Sequence, residues 1–345
     1  MENMKIQVNL GDEIKISLML NPNNLLSETR KKLLDEIEIP FKYGDQHKND
    51  IPKEKESEIK LKDILDGSNL YLIKDMIKRV MLGRKIETKN GLDFYLYPQR
   101  KLTEGEKNSS LNIMVIGELG SGKSTWFHCL LNYLQEIHLE EKERYYLFDE
   151  KALLDEYRNK NGSKFPSFSI IEKPTIYNID PNKLFNKPIR LIDTPGFDDV
   201  RGLEYEKKMI EDIRNLFQSS EIKSINTICF FFKANQGRAR GWFLPHILSL
   251  FNNEIKNNVV FIFTYTTNFN DIPCLKGIQY KDGPFDQMFE DIKKIPYFAF
   301  DSSAYFIDDI DDKKFVEEMY ENNTTNFRNF LQCVSSFNRV SLKSI

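Results

Sequence analysis

The sequence has few of the residues that build small stapled proteins or membrane-bound ones. Its four cysteines, Cys129, Cys229, Cys274 and Cys333, form no CxxC pair, which argues against a zinc ribbon and against a disulfide framework. No run reaches the roughly 18 apolar residues of a membrane-spanning helix, and the first residues lack the pattern of a secretory signal. Glycine (16) and proline (13) are too scarce for a collagen-like or low-complexity chain. We therefore expect a soluble, cytoplasmic protein with reduced thiols.

An excess of charge of either sign is also missing. The 49 lysines and arginines nearly balance the 52 aspartates and glutamates, which leaves a net charge of −3. A dedicated nucleic-acid binder is usually strongly basic, so we expect no nucleic-acid partner. No basic amphipathic stretch indicates a membrane partner. With 345 residues, 40% of them hydrophobic, the chain is long enough for two domains at roughly 150 residues each.

The N-terminal segment has the pattern of a small α+β unit. Residues 5–10 and 13–20 alternate with period two on either side of a Gly-Asp turn, which predicts a β-hairpin. Residues 24–39 carry leucine and isoleucine at helical spacing. Residues 41–43 and 69–73 are short strand candidates. The order is two strands, a helix and shorter strands.

This order resembles that of ubiquitin-like β-grasp domains. The resemblance covers residues 4–74 and is clearest in LKDILDGSNLYLIK near its end. It implies a ubiquitin-like domain over 1–75 that binds a protein partner not identified by the sequence. No Gly-Gly terminus follows, so conjugation is not implied, and an unrelated small α+β domain remains the alternative. Residues 76–110 are predicted to be a linker that includes an edge strand.

From Leu111 onward, apolar runs alternate with helical segments. The runs bounded by polar turns are residues 111–117, 189–194, 225–233 and 258–266. The helical candidates are Lys123–Gln135, Glu204–Phe217, Gly241–Phe251, Pro284–Lys294 and a terminal helix over 313–338. Strands this apolar are typical of a parallel sheet that is covered on both faces by helices. We therefore predict a doubly wound α/β domain over 111–338.

The strongest chemical signal is the segment GELGSGKST at residues 117–125, which fits GxxxxGK[ST] at every fixed position. It directly follows a predicted buried strand and directly precedes a helix. Glycines let the backbone N–H groups approach phosphate oxygens, and the helix N-terminus favours negative charge. Lys123 is expected to reach the β and γ phosphates, and the Ser124 hydroxyl to bind Mg²⁺. The predicted phosphate-binding residues are Gly117, Gly120, Ser121, Gly122, Lys123, Ser124 and Thr125.

A second signal, DTPGFDD, follows the strand IRLI. Asp193 at the end of that strand is placed to hold Mg²⁺ through water. The N–H of Gly196 can be offered to a γ phosphate, which makes the following loop sensitive to hydrolysis. Together with the phosphate loop, this segment favours a switch GTPase over a kinase or a helicase.

With these motifs the chain resembles the septin and immunity-associated (GIMAP/AIG-type) branch of P-loop GTPases. The segments that carry the resemblance are GELGSGKST, LIDTPGFDDVRG, INTICFFFKANQGRAR, SLFNNEIKNNVVFIFTYTT and FAFDSSAYF, and it covers about residues 94–335. It implies a switch that binds GTP or GDP with Mg²⁺. It also implies slow hydrolysis promoted by dimerisation, or oligomerisation, through the nucleotide face.

The base-binding motifs depart from the family pattern. The stretch that would read guanine runs from Thr264 to Thr267 and has no aspartate in place, while Asp271 lies four residues further on. The resemblance implies base contacts from Thr264 and, in the later motif, from Ser302 and Ser303. Guanine over adenine is therefore implied by the resemblance alone, and an ATP-dependent enzyme remains open.

The catalytic positions also depart. Ile171 aligns with the switch threonine, and nearby Thr175 is either its replacement or a plain strand residue. Phe197 stands where small signalling GTPases have a water-orienting glutamine. Arg238 resembles the arginine that reaches across the family's dimer, unless it is a solvated surface residue. The expected catalytic residues are therefore Lys123, Arg238 and Thr175. The alternative function is a non-hydrolysing, nucleotide-bound scaffold whose ubiquitin-like module recruits a partner.

Overall fold

The structure is a computed structural model. It describes residues 4–10, 14–20, 42–43, 69–73, 83–161, 171–198, 201–219, 221–237, 243–266, 268–269, 271–280, 285–307 and 313–341. The chain divides into two compact units, Met1–Arg84 and Lys85–Ile345. Within the described ranges, no helix is long and apolar enough to cross a membrane.

The first unit contains a four-stranded sheet in the order β2-β1-β4-β3. Its strands are β1 (Met4–Leu10), β2 (Ile14–Leu20), β3 (Lys42–Tyr43) and β4 (Asn69–Ile73). β1 pairs antiparallel with β2, and parallel with β4, which pairs antiparallel with β3. The predicted hairpin and the predicted last strand are confirmed. The helix predicted over 24–39 lies outside the described residues.

The second unit begins with a small sheet in the order β5-β6-β8. Its strands are β5 (Arg84–Lys89), β6 (Leu92–Leu96) and β8 (Glu143–Tyr146). Asn90 and Gly91, which join β5 to β6, have φ of 50° and 75°, as the tightest hairpin turns require. The predicted edge strand therefore belongs to this unit, where β6 pairs parallel with β8.

The main sheet has six strands in the order β14-β13-β12-β7-β10-β9. They are β7 (Leu111–Gly117), β9 (Thr175–Ile179), β10 (Ile189–Asp193), β12 (Thr227–Lys233), β13 (Val259–Thr264) and β14 (Tyr297–Ala299). All neighbours are parallel except β9, which runs antiparallel to β10 at the edge. Every residue of β7, β10 and β13 is buried, which confirms the prediction of buried parallel strands, while the antiparallel edge strand β9 was not predicted.

Seven α-helices occur among the described residues of this unit. They are α1 (Glu104–Ser109), α2 (Lys123–Leu134), α3 (Glu150–Asn161), α4 (Leu203–Gln218), α5 (Leu244–Leu248), α6 (Pro273–Ile278) and α7 (Lys313–Ser335). A two-strand ladder joins β11 (Ser224–Ile225) to β15 (Val340–Ser341) near the end of the chain.

The helix predicted over 284–294 is wrong. Residues 285–290 form turns and bends, and only Ile292–Lys294 makes a 3₁₀ turn. Phe285 and Phe289 are buried, and both rings contact Phe261 of β13. Their spacing of four residues imitates a helical stripe, although a chain of turns delivers them to the core.

The helix that follows the phosphate loop is anchored by Trp126. This side chain is fully buried, and its ring lies 5.3 Å from Phe231 on β12 and 5.3 Å from Phe330 on α7. The packing joins α2 to the sheet on one side and to the terminal helix on the other. These contacts fix α2, and the loop that precedes it, against the sheet.

Candidate functional site

The loop between β7 and α2 has the backbone that its glycines predict. β7 ends at Gly117 and α2 begins at Lys123. Gly120 and Gly122 have φ of 68° and 82°, values that other L-residues rarely adopt. At Gly117, a Cβ atom would come 2.8 Å from Phe231 Cβ and 2.9 Å from the Phe231 carbonyl oxygen. These three positions therefore require glycine for conformation or for space.

The loop opens onto a cavity of about 240 Å³. Residues 119–125 form part of its lining. The remaining lining residues are Phe148, Glu150, Leu153, Ile171, Asp193, Thr194, Gly196 and Tyr265. The structure thus brings the phosphate loop and the predicted DTPG segment together at the carboxyl ends of two adjacent parallel strands, where α/β sheets bind ligands.

Lys123 is held at the cavity by backbone carbonyls. Its Nζ atom donates to the carbonyl oxygens of Gly117 at 3.0 Å and Glu118 at 3.1 Å. An ammonium has three donors, so one can still be offered to a ligand oxygen. Burial lowers the pKa of Lys123, while the charges of Asp193 and Glu118 raise it. An anion at this position therefore gains a desolvated positive charge.

Asp193 is the most informative acid in the cavity. It ends β10, its exposed fraction is 1%, and neither carboxylate oxygen accepts a hydrogen bond of good geometry. Burial raises the pKa of Asp193, whereas the Lys123 charge and the adjacent Thr194 amide lower it. A buried carboxylate without full hydrogen bonding is costly. A hard divalent cation at the cavity would satisfy it, so the residues present fit a Mg²⁺ ion.

The DTPG segment is attached to the phosphate loop by backbone hydrogen bonds. The Phe197 N–H donates to the Gly117 carbonyl at 3.1 Å, and the Leu119 N–H donates to the Phe197 carbonyl at 2.9 Å. A Cβ atom on Gly196 would lie 2.7 Å from Leu119 Cα and 2.8 Å from Leu119 N. Only glycine lets the two segments approach this closely, and Gly196 lines the cavity as predicted.

The Phe197 side chain points away from the cavity. It is fully buried, and its ring stacks on Phe243 with 4.2 Å between centroids. The residue at the glutamine position therefore anchors the segment in the core. It cannot orient water.

The end of β13 is also attached to the phosphate loop. Thr264 Oγ1 donates to the Ser121 carbonyl at 2.8 Å, and Tyr265 Oη donates to the Gly120 carbonyl at 3.2 Å. Tyr265 lines the cavity with 53% of its surface exposed, and its φ is 57°. Thr264 itself is buried, and its hydroxyl stabilises the phosphate loop through Ser121.

Two predicted base contacts lie elsewhere. Ser302 and Ser303 form part of a 3₁₀ turn, Ser302–Tyr305, and neither lines the cavity. The Asp301 carboxylate accepts hydrogen bonds from the Ser303 N–H at 3.0 Å and from the Ser303 hydroxyl at 2.5 Å. In this structure the Ser303 hydroxyl therefore serves the turn, and the role of both serines in base binding stays a prediction.

Of the two candidates for the switch position, one lines the cavity and the other does not. Thr175 is the first residue of β9, and its hydroxyl donates to the Lys173 carbonyl at 3.1 Å. It does not line the cavity, whereas Ile171 does. Arg238 and Thr267 lie outside the described residues, so their predicted roles are untested.

Three residues near the loop were not predicted. Glu150 and Tyr265 line the cavity, and the Lys233 ammonium lies 3.6 Å from the point where a Cβ of Gly120 would be. Lys233 ends a strand parallel to β7, so its place at the carboxyl edge of the sheet was readable from the sequence pattern. Glu150 and Tyr265 reach the cavity through contacts between segments distant in sequence.

Comparison with known proteins adds distant structural likenesses. No family model matches the chain, and no curated protein does. Toc33 from Arabidopsis thaliana in complex with GDP and Mg²⁺ is 15% identical, with a TM-score of 0.39. Toc33 with Mg²⁺ and GMPPNP is 14% identical, with a TM-score of 0.41. Each alignment covers 69% of this chain and 90% of the other.

A further structure comes from work on the importance of dimerisation for the GTPase activity of the chloroplast translocon components atToc33 and psToc159. It is 17% identical, with a TM-score of 0.35, and the alignment covers 64% of this chain and 84% of that one. Likenesses this weak leave the geometry of the site as the basis for its function. The strand, glycine-rich loop and helix of the second unit, set in a parallel-rich sheet, define a P-loop fold.

Proposed function

We propose that the chain is a guanine-nucleotide-binding switch protein that hydrolyses GTP slowly, with dimerisation through the nucleotide face promoting hydrolysis. One observation carries the proposal. The buried Asp193 carboxylate, without a hydrogen-bond partner of good geometry, lines the same cavity as Lys123 and the phosphate loop. That combination suits a nucleotide phosphate bound together with a divalent cation.

Each residue has a role that follows from its position. The loop amides of residues 119–125 bind phosphate oxygens, and Lys123 neutralises their charge from its two carbonyl anchors. Ser124 and Asp193 would hold Mg²⁺. Bound Mg²⁺ would supply positive charge to the phosphate oxygens. Gly196 offers its N–H from the segment bonded to the loop, so occupation of the cavity is transmitted to that segment.

Slow hydrolysis follows from two side chains. Phe197 is packed on Phe243 and cannot orient the attacking water. Ile171 presents an apolar side chain to the cavity where the resembled family has a threonine. The missing groups must be supplied from elsewhere, and we assign part of that task to Arg238 reaching across a dimer, which would stabilise transition-state charge.

The first experiment identifies the nucleotide that co-purifies with the protein, by denaturation and chromatography. We expect GDP or GTP. Retained ATP or ADP would instead make the chain an adenine-nucleotide enzyme. This measurement is decisive because the sequence has no aspartate at the position that would read guanine. The described carboxylates of the cavity, Asp193 and Glu150, do not identify the base either.

The second experiment measures single-turnover phosphate release over a range of protein concentrations. We expect the rate to rise as dimer forms, and Arg238→Ala to remove that rise. Arg240→Ala, two residues along the same segment, is the matched control and should retain it. Absence of phosphate release at every concentration would favour the non-hydrolysing scaffold.

We also propose that residues 1–75 form a ubiquitin-like β-grasp domain that binds a protein partner. The support is the mixed sheet β2-β1-β4-β3, in which the first and last long strands are parallel neighbours. Hydrogen exchange on the intact chain should show protected amides in β1 and β4 and helical protection over 24–39. Free exchange over 24–39 would contradict the proposal.

A further inference from the structure

Glu150 brings a second carboxylate to the cavity. It is the first residue of α3, whose N-terminus is capped by the Asp149 carboxylate accepting from the Ala152 N–H at 2.9 Å. From there Glu150 lines the cavity beside Ser124 and Asp193. The acid therefore shares the cavity with the hydroxyl to which the phosphate loop assigns a metal.

Glu150 and Asp193 also act on one another. The negative charge of Glu150 contributes to raising the pKa of Asp193, after burial. Half of the Glu150 side chain is exposed to solvent. Two neighbouring carboxylates disfavour each other's ionisation. Both carboxylates would hold a divalent cation, which would remove that penalty, and Mg²⁺ is commonly held by one or two carboxylates together with phosphates and water.

His128 stands behind Glu150. Its Nδ1 atom accepts the Leu147 N–H at 3.0 Å, so the proton lies on Nε2. Nε2 is buried without a hydrogen-bond partner, on a side chain with an exposed fraction of 4%, and lies 4.0 Å from Glu150 Oε1. Burial lowers the pKa of His128 to about 3, which keeps the ring neutral. A shift of about 1 Å would make Nε2–H a donor to the carboxylate.

The residue aligned with the switch threonine brings no side-chain oxygen to the cavity. Ile171 lines it with an apolar side chain, and the hydroxyl of Thr175 is bonded to the Lys173 carbonyl. Thr194, which does line the cavity, donates its hydroxyl to the Val115 carbonyl at 2.8 Å. Among the described lining residues, Glu150 is placed to supply an oxygen beside Ser124.

We propose that Glu150 is a second acidic residue of the divalent-cation site, contacting Ser124 on one side and positioned by His128 on the other. This inference rests on the proposed nucleotide-binding function. It assigns to Glu150 the contribution that Ile171 cannot make. The carboxylate would accept a hydrogen bond from the Ser124 hydroxyl, which leaves the oxygen lone pairs of the hydroxyl for the cation, and its charge adds to that of Asp193.

The test compares binding of fluorescent mant-GDP with saturating Mg²⁺ and with EDTA, in the full-length protein. Glu150→Gln keeps the size of the side chain and an acceptor oxygen while removing the charge. We expect the gain in affinity that Mg²⁺ gives to fall about tenfold or more, the range seen for residues that support a metal ligand. In EDTA the variant should bind at least as tightly as wild type, because one negative charge near the phosphates is gone.

Two further variants refine the assignment. Asp149→Asn removes the neighbouring charge, which caps α3, and should keep the full gain from Mg²⁺. Glu150→Asp restores the charge on a shorter side chain and should recover part of the gain. Electron paramagnetic resonance of Mn²⁺ bound with GDP provides a second readout, in which Glu150→Gln should alter the Mn²⁺ spectrum and Asp149→Asn should not.

The outcomes separate the two claims. If wild type binds mant-GDP with a Mg²⁺ gain and Glu150→Gln retains the full gain, the role of Glu150 is refuted while the nucleotide-binding function stands. If Glu150→Gln loses the same affinity for mant-GDP with Mg²⁺ as with EDTA, the role of Glu150 in the cation site is also refuted, since such a loss indicates a structural role. If wild type binds no mant-GDP under either condition, the proposed function fails and the inference fails with it.

Discussion

Gly196 lies against the backbone of Leu119, and its replacement by alanine is expected to separate the DTPG segment from the phosphate loop. The added Cβ would come 2.7 Å from Leu119 Cα and 2.8 Å from Leu119 N. Carbon atoms in contact usually lie about 3.5 to 4.0 Å apart. No side-chain rotation relieves a clash between backbones, so one segment must move by about 1 Å.

The expected loss in the free energy of unfolding follows from the hydrogen bonds that the movement weakens. The movement weakens two backbone hydrogen bonds, Phe197 N–H to Gly117 and Leu119 N–H to Phe197. At about 1 kcal/mol each, their loss lowers the free energy of unfolding by about 2 kcal/mol, within the usual range for overpacking. For a unit of this size we expect the melting temperature to fall by roughly 4 to 8 °C.

Thermal unfolding of the nucleotide-free protein measures this effect. Gly105→Ala is the matched control, because a Cβ there meets nothing within 4 Å, and its position in α1 predicts an unchanged or slightly raised melting temperature. If Gly196→Ala melted together with Gly105→Ala, the close approach of the two segments would not matter for stability, and the argument from their spacing would be wrong.

Three further predictions concern an ion pair, a contact of the phosphate loop and the packing of α2. Arg100 is the main cause that lowers the pKa of Glu106 to about 2. Their pairing therefore stabilises the fold above the ordinary pKa and is lost as pH falls towards 2, so the difference in melting temperature between wild type and Arg100→Gln should be present at neutral pH and disappear in acid. Tyr265→Phe, which deletes the hydrogen bond to Gly120, should weaken mant-GDP binding by about two- to tenfold, and an unchanged affinity in titration would show that this contact is irrelevant. Trp126→Ala should lower the free energy of unfolding by about 3 to 5 kcal/mol in urea titration, and a loss below about 1 kcal/mol would contradict the packing account.

The parts of the site that are continuous in sequence were predictable. The glycines and Lys123 form one motif, because a strand, a loop and a helix N-terminus must follow one another to bind phosphate. Asp193 was predictable because the carboxyl end of a buried parallel strand lies at the same edge as the loop. The inward packing of Phe197 was not, since it depends on Phe243, 46 residues later in the chain.

The remaining parts depend on distant contacts. Glu150 reaches the cavity because α3 begins beside α2, and nothing in the residues around position 150 indicates this. The helix predicted over 284–294 was wrong for a related reason. Turns that pack on β13 also bury phenylalanines at helical spacing. Local periodicity predicts which residues are buried better than it predicts the backbone that buries them.

The most direct test of the central claim is titration of the nucleotide-stripped protein with GDP and Mg²⁺, in wild type and in Lys123→Ala. A buried charge-assisted contact to phosphate is worth about 3 kcal/mol, so we expect saturable binding by wild type and a loss of about a hundredfold in the variant. Lys151→Ala, an exposed lysine outside this cavity, should bind as wild type does. Undiminished binding by Lys123→Ala, or no binding by wild type, would contradict the account of the phosphate loop.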